Sequence, residues 1–321
     1  MSKYFKICLK TSLFPILFLF LINCNSSVNI QTDDAKKNWD KKEYTDWEKK
    51  EGTLPEGAEV KTITHDSINR EYVLYLPVNF DRTKKSPLML NFHGNGMTAI
   101  DQFNSANMKD LADANNFVLV YPKGENTEWN SYVGPDNKSS TDDFGFIESL
   151  INKLEESQNI DPNRVYACGY SNGGFMVYAL TVFKPNLLAA IASVSGTMME
   201  NSIRNDSRPN PTPILSIHGT SDTTVPYNGY EGAYVSIPDV LNFWVDVNQI
   251  EQNPQLNTFS SQGNNIEHFK YVNSNNGISI EHYKVINGDH VWLDIIHNNK
   301  DTNTLIWDFV SQYNKQSVLN Q

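Results

Sequence analysis

Residues 164–180 read RVYACGYSNGGFMVYAL, and this stretch decides how the chain folds. Val165-Tyr166-Ala167-Cys168 is a short apolar run of strand type, and Gly174 to Leu180 carries helical composition. Between them, Gly169-Tyr170-Ser171-Asn172-Gly173 leaves room for one tight turn. A strand that passes into a helix through so short a turn forces its apex residue into strained backbone geometry, and flanking glycines relieve the crowding. Ser171 falls at that apex, at a helix N-terminus, where free amides and the helix dipole favour developing negative charge. A glycine-rich turn with an incidental serine would share the pattern; the strand before and the helix after set this one apart.

Outward from this turn, apolar strand-like runs alternate with helix-like ones. Strands are expected near 60–64, 70–76, 87–92, 117–121, 164–168, 189–194, 213–218 and 280–286. Helical spacing covers 98–115, 141–157, 173–183, 238–247 and 303–313. Such alternation predicts an α/β fold, a mostly parallel central sheet with helices on both faces. Asp161-Pro162-Asn163 reads as a turn, and the Asn-, Gln- and Ser-rich stretch 251–277 as a long surface excursion.

The strand Leu88–Phe92 runs into His93-Gly94-Asn95-Gly96. In an α/β-hydrolase fold, the loop after that strand and the residue after the nucleophile each offer a backbone N–H to an oxyanion, which assigns the amides of Asn95 and Asn172. Chain order in this fold is serine, then acid, then histidine. Asp222, in His218-Gly219-Thr220-Ser221-Asp222, follows the buried-looking run 214–217 and falls on the same sheet edge as Ser171. His290, in Gly288-Asp289-His290-Val291-Trp292, follows the last plausible strand, where Gly288 lets the chain turn back. A carboxylate at 222 would hold the imidazole at 290 in the tautomer that takes the Ser171 proton. His282 lies inside a strand pattern and is expected to pack; His297 is the alternative base. Asp289 cannot easily fold back onto its neighbour's ring and reads as structural. Trp129, Tyr227 and Trp292 lie near the strand ends and are candidate substrate contacts, although large aromatics more often belong to the core.

The chain has 321 residues, 39% of them hydrophobic and 20% charged, the composition of a globular protein. A net charge of −11 opposes contact with phosphate backbones and excludes a nucleic-acid partner. Lys3, Lys6 and Lys10 precede an apolar run from Leu13 to Ile22, about half the roughly 20 residues that cross a bilayer. Residues 1–23 are therefore expected to be a signal peptide, 24–56 a polar tether and 57–321 the catalytic domain. Leu21-Ile22-Asn23-Cys24 resembles a lipoprotein cleavage box that would leave Cys24 acylated, with Asn23 departing from the small residue usual there; an ordinary secretory signal cut nearby is the other reading. Either way export is expected, to a bacterial envelope in the first reading or to the extracellular space in the second, and the only membrane contact expected is the lipid anchor of the first. Cys8 leaves with the signal, so Cys168 has no disulfide partner and reads as an apolar strand residue. No cluster of Cys and His marks a metal site.

Together, His93-Gly94-Asn95-Gly96, Gly169-Tyr170-Ser171-Asn172-Gly173-Gly174, His218-Gly219-Thr220-Ser221-Asp222 with Val225-Pro226-Tyr227, Gly288-Asp289-His290-Val291-Trp292 and Ile306-Trp307-Asp308-Phe309 resemble the secreted esterases that include feruloyl esterases and polyhydroxybutyrate depolymerases. The resemblance implies hydrolysis of carboxylic esters through an acyl-serine, with no metal or organic cofactor. It carries the triad onto Ser171, Asp222 and His290, and an oxyanion amide onto Asn95. Polymer-degrading members usually add a binding module that this sequence does not continue into, so the expected substrate is a small-molecule or polysaccharide-linked ester. Two other readings stay open: a serine peptidase of the prolyl-oligopeptidase kind, and a surface lipoprotein that binds without catalysing. Oligomeric state is not readable from the sequence.

Overall fold

Four of the apolar runs in the sequence become strands buried along their whole length: β3 (Ser86–Phe92), β4 (Val118–Pro122), β6 (Ala190–Val194) and β7 (Ile214–Gly219). A strand that is apolar on both faces stabilises only where both are covered, which is the setting of a parallel sheet between helices. The computed structural model describes residues 53–131, 140–203 and 208–316, so the signal, Cys24 and most of the tether lie outside the described residues.

The remaining strands are β1 (Ala58–His65), β2 (Ile68–Tyr75), β5 (Ile160–Tyr170), β8 (Gln255–Ser261), β9 (Asn264–Val272) and β10 (Ser279–Val285). They form one sheet in the order β1-β2-β4-β3-β5-β6-β7-β10-β9-β8. Its centre, from β4 to β10, is parallel, and antiparallel strands extend it on both sides. Alternate side chains enter separate cores. Leu88, Leu90 and Phe92 join helices α3 (Asp143–Gln158), α4 (Asn172–Phe183) and α6 (Ile237–Val247) on one face; Met89, Tyr166 and Cys168 join α1 (Ala99–Ser105), α2 (Lys109–Asn115) and α7 (Thr302–Val310) on the other. Each such Leu, withdrawn from water, contributes about 2 kcal/mol.

The structure departs from the sequence reading in four places. Residues 251–277 hold the hairpin β8–β9 instead of a loop; most of its side chains are only partly covered, so apolar alternation is weak. Its signal lies in the turn, where Gln262 and Gly263 both have positive φ (50° and 82°), as a two-residue hairpin of primed type requires. The helix expected over 98–115 is two, separated at Ala106–Met108 and restarted by Asn107, whose side chain accepts from the Lys109 amide. Asp161-Pro162-Asn163 lies within β5 as an irregularity: pairing advances from Ser86 to Leu88 on β3 while it advances from Ile160 to Val165 on β5. A short helix, α5 (Glu200–Ile203), follows β6 and was not expected.

Candidate active site

Ser171 N-caps α4 at φ 51° and ψ −118°, a conformation an L-residue adopts only where its surroundings enforce it. Its N–H donates to the Val194 carbonyl at 2.9 Å, and its own carbonyl accepts from Phe175 at 3.0 Å. The glycines are required by contact. A Cβ on Gly169 would overlap the Gly173 carbonyl, and one on Gly173 would overlap the carbonyl of Phe92. The turn is thus clamped between β3, β6 and its own helix, with Ser171 at the carboxyl ends of the strands.

There the structure brings together three residues that are far apart in the chain. Ser171 Oγ lies 2.9 Å from His290 Nε2, and His290 Nδ1 lies 2.7 Å from Asp222 Oδ2. The other carboxylate oxygen of Asp222 accepts from the amides of Thr224 (2.9 Å) and Val225 (2.7 Å). Burial pushes the Asp222 carboxyl up; the hydrogen bonds from His218 and His290, the charge of His290 and the Val225 amide outweigh it and hold it at about 2. Asp222 is therefore an anion throughout the neutral range. The loops carrying Asp222 and His290 are interlocked: Ser221 N–H donates to the Gly288 carbonyl (2.9 Å) and Asn287 N–H to Thr220 Oγ1 (2.8 Å), while Ser195 Oγ, just after β6, donates to the Val291 carbonyl (2.9 Å).

The loop 93–97 is held by a residue whose role the sequence does not reveal. His93 is fully buried; its Nε2 accepts from the Gly124 amide at 2.9 Å while Nδ1 donates to the Gly94 carbonyl at 2.7 Å. Burial pushes its imidazole down to about 4, so it is a neutral brace. Gly96, at φ 77°, donates to the Thr127 carbonyl at 3.0 Å. Asn95 sits on this braced loop. Asn172 is the first residue of α4, where no intrahelical acceptor faces the amide. Its side chain accepts from the Trp129 amide at 2.7 Å and donates to the Trp129 carbonyl at 3.3 Å.

The three aromatic candidates fall into different settings. Trp129 is 1% exposed, donates from Nε1 to the His93 carbonyl at 3.1 Å and packs edge-on against Phe92, which leaves no open ring face for a substrate. Tyr227 turns its hydroxyl to His282 Nε2 at 3.0 Å and its ring edge-on to His218. Trp292 is half-buried and stands edge-on to Tyr170 at 6.5 Å. Tyr170, which the sequence reading passed over, lies 5.2 Å from the His290 ring and donates to the His290 carbonyl at 3.0 Å. Adjacency to Ser171 was its available signal. His282 is fully buried between Ser216 and Tyr227, with burial pushing it down to about 3. His297 stacks on Phe259 at 4.2 Å beside the β8–β9 hairpin. Cys168 is buried on β5 and forms no disulfide among the described residues. Among the described residues one His/Asp group, His65, Asp66 and Asp142, brings ligand atoms within 4.8 Å of one another; it lies where the β1–β2 turn meets the N-cap of α3 and includes none of Ser171, Asp222 and His290.

A mostly parallel sheet, a strained serine between strand and helix, and a histidine and acid on later strand ends define an α/β hydrolase. The chain belongs to the phospholipase/carboxylesterase family, whose model matches residues 75–254. It is 32% identical over 165 residues to a bifunctional acetylxylan esterase/xylanase of Neocallimastix patriciarum, covering 51% of this chain and 23% of that one. It is 29% identical over 261 residues to feruloyl esterase B of Piromyces equi, covering 76% of this chain and 45% of that one. The matched segments thus span less than half of either relative. The fold is shared with an acetyl xylan esterase from Aspergillus awamori: TM-score 0.57, 14% identity, 79% of this chain and 99% of that one.

Proposed function

We propose that this chain is a serine carboxylesterase acting on small or polysaccharide-linked esters of the feruloyl or acetylxylan type. The observation that carries the reading is the continuous relay from Asp222 Oδ2 through His290 to Ser171 Oγ, with contacts of 2.7 and 2.9 Å. His290 Nε2 takes the Ser171 proton as Oγ attacks the ester carbonyl carbon. The amides of Asn95 and Asn172 receive the oxyanion, and the intermediate collapses with return of the proton to the leaving alcohol. Water, deprotonated by His290, then hydrolyses the acyl-serine. His93 and the Asn172–Trp129 clamp hold the two donor loops in register, so the donors stand preorganised. Trp292 and Tyr170 flank the base and are assigned as the wall that meets the acyl or alcohol group.

Names of the relatives support this substrate class, as does the aromatic wall. The basic start, the apolar run and Cys24 support export and lipid anchoring of the same chain, through residues 1–56. The test is hydrolysis of methyl ferulate, 4-nitrophenyl acetate and a matched anilide. Turnover of the esters with little of the anilide is the expected result; turnover of none, by folded protein, would reject the proposal, and anilide turnover at the ester rate would favour a peptidase.

A further inference from the structure

His218 stands near the end of β7, four residues before Asp222, and its side chain is fully buried. Its Nε2 lies 2.8 Å from the Val225 carbonyl oxygen and 3.4 Å from Asp222 Oδ2. Both are acceptors, so Nε2 carries the proton. Nδ1 is buried with no partner among the described residues, and a proton there would leave a charge and a bare N–H in the core. His218 is therefore the neutral Nε2–H tautomer.

The surrounding groups leave that assignment undisturbed. Tyr227 stands edge-on to the His218 ring at 5.9 Å and engages His282, whose other nitrogen meets Ser216 Oγ at 3.2 Å. Lys284 lies 5.9 Å over the Tyr227 ring and is paired with Glu267 at 2.8 Å. Asp222 Oδ2 thus meets two imidazoles, His290 and His218, while Oδ1 takes two amides.

We propose that His218 is a positioning residue for the triad acid: its single Nε2–H, shared between the Val225 carbonyl and Asp222 Oδ2, locks the 222–225 turn and aims the carboxylate at His290 Nδ1. The inference rests on the esterase reading of the relay. Because the donor is neutral, it orients the carboxylate without competing, as a second cation would, for the charge that stabilises the His290 imidazolium. It also draws some charge from Oδ2, so its removal strengthens the pull of Asp222 on the His290 proton.

Three measurements test this. His218→Leu removes the donor and keeps an apolar volume; kcat on 4-nitrophenyl acetate should fall about tenfold to a hundredfold, with KM within about twofold, as expected for one hydrogen bond to a charged group. The acid limb of its kcat/KM profile should move to higher pH, because a more basic carboxylate raises the affinity of His290 for its proton. His218→Gln, which can return an amide donor to the same place, should recover most of both. Nitrogen-15 NMR of the wild-type protein should show the His218 proton on Nε2 and none on Nδ1, a readout that needs neither variant to fold nor any turnover. A protonated Nδ1, an unmoved kcat and acid limb in folded His218→Leu, or a Gln variant as impaired as the Leu variant with an unmoved limb would each overturn the proposal. Failure of wild-type protein to turn over any ester would strike the esterase reading instead, and the NMR tautomer would still be decided.

Discussion

His290 meets Ser171 at 2.9 Å across 119 residues of chain. Neither residue has a local reason to find the other. The contact exists because β5 and β10 end at the same sheet edge, and because the loops carrying Asp222 and His290 are tied to each other by backbone hydrogen bonds. A contact built this way depends on each loop that carries it, so substitutions along it are expected to fail in distinguishable ways.

Replacing Asp222 with Asn preserves shape and removes charge. We expect kcat to fall by about 10³ to 10⁴ with KM little changed, since the imidazole loses both its tautomer and its counter-ion. Stability should respond to pH as well. The Asp222 carboxyl is held at about 2, below its ordinary 3.8, so it stabilises the fold fully above about pH 4 and ceases to as the pH falls through about 2. The contribution is about 2 kcal/mol, and acid-unfolding curves of Asp222→Asn should lack that component.

Gly173→Ala drives a Cβ into the carbonyls of Phe92 and His93, both backbone atoms that cannot swing aside. A loss of about 2–3 kcal/mol and most activity is expected, measured by thermal unfolding and ester turnover. Gly232→Ala is the control: its Cβ meets nothing within 4 Å, and only the φ of +81° opposes it, at about 1 kcal/mol.

The two tryptophans near the site should separate. Trp292→Ala should raise KM for methyl ferulate about tenfold and leave 4-nitrophenyl acetate within about twofold, as expected of a half-buried ring that meets a bulky acyl group. Trp129→Phe removes the bond to the His93 carbonyl and should cost about 1–2 kcal/mol of stability, with kcat falling on both esters alike.

Cys24→Ser tests the anchor. The full chain, expressed in an exporting bacterium, should partition into detergent as wild type and into water as the variant, with equal ester turnover. Identical partition of both would reject lipidation at Cys24.

Much of this site was legible because its residues sit on punctuation. Ser171, Asp222 and His290 each follow an apolar strand and stand beside glycine or turn residues, so topology alone sends them to one edge. The hairpin β8–β9 was not legible, because a half-solvated strand pair has little apolar alternation and its one signal is the turn at Gln262–Gly263. Trp129 and Trp292 look alike in sequence. Only the long-range partners Phe92 and His93 make the first a core residue. The same holds for His93 and His218, whose settings are made by Gly124, Val225 and Asp222.

The most direct measurement is labelling with a fluorophosphonate followed by peptide mapping. Wild-type protein should gain one phosphonyl adduct, on Ser171, with loss of ester turnover in step with labelling, and Ser171→Ala and His290→Ala should not label. An adduct on another residue, or turnover that survives complete modification of Ser171, would contradict the relay as the seat of catalysis.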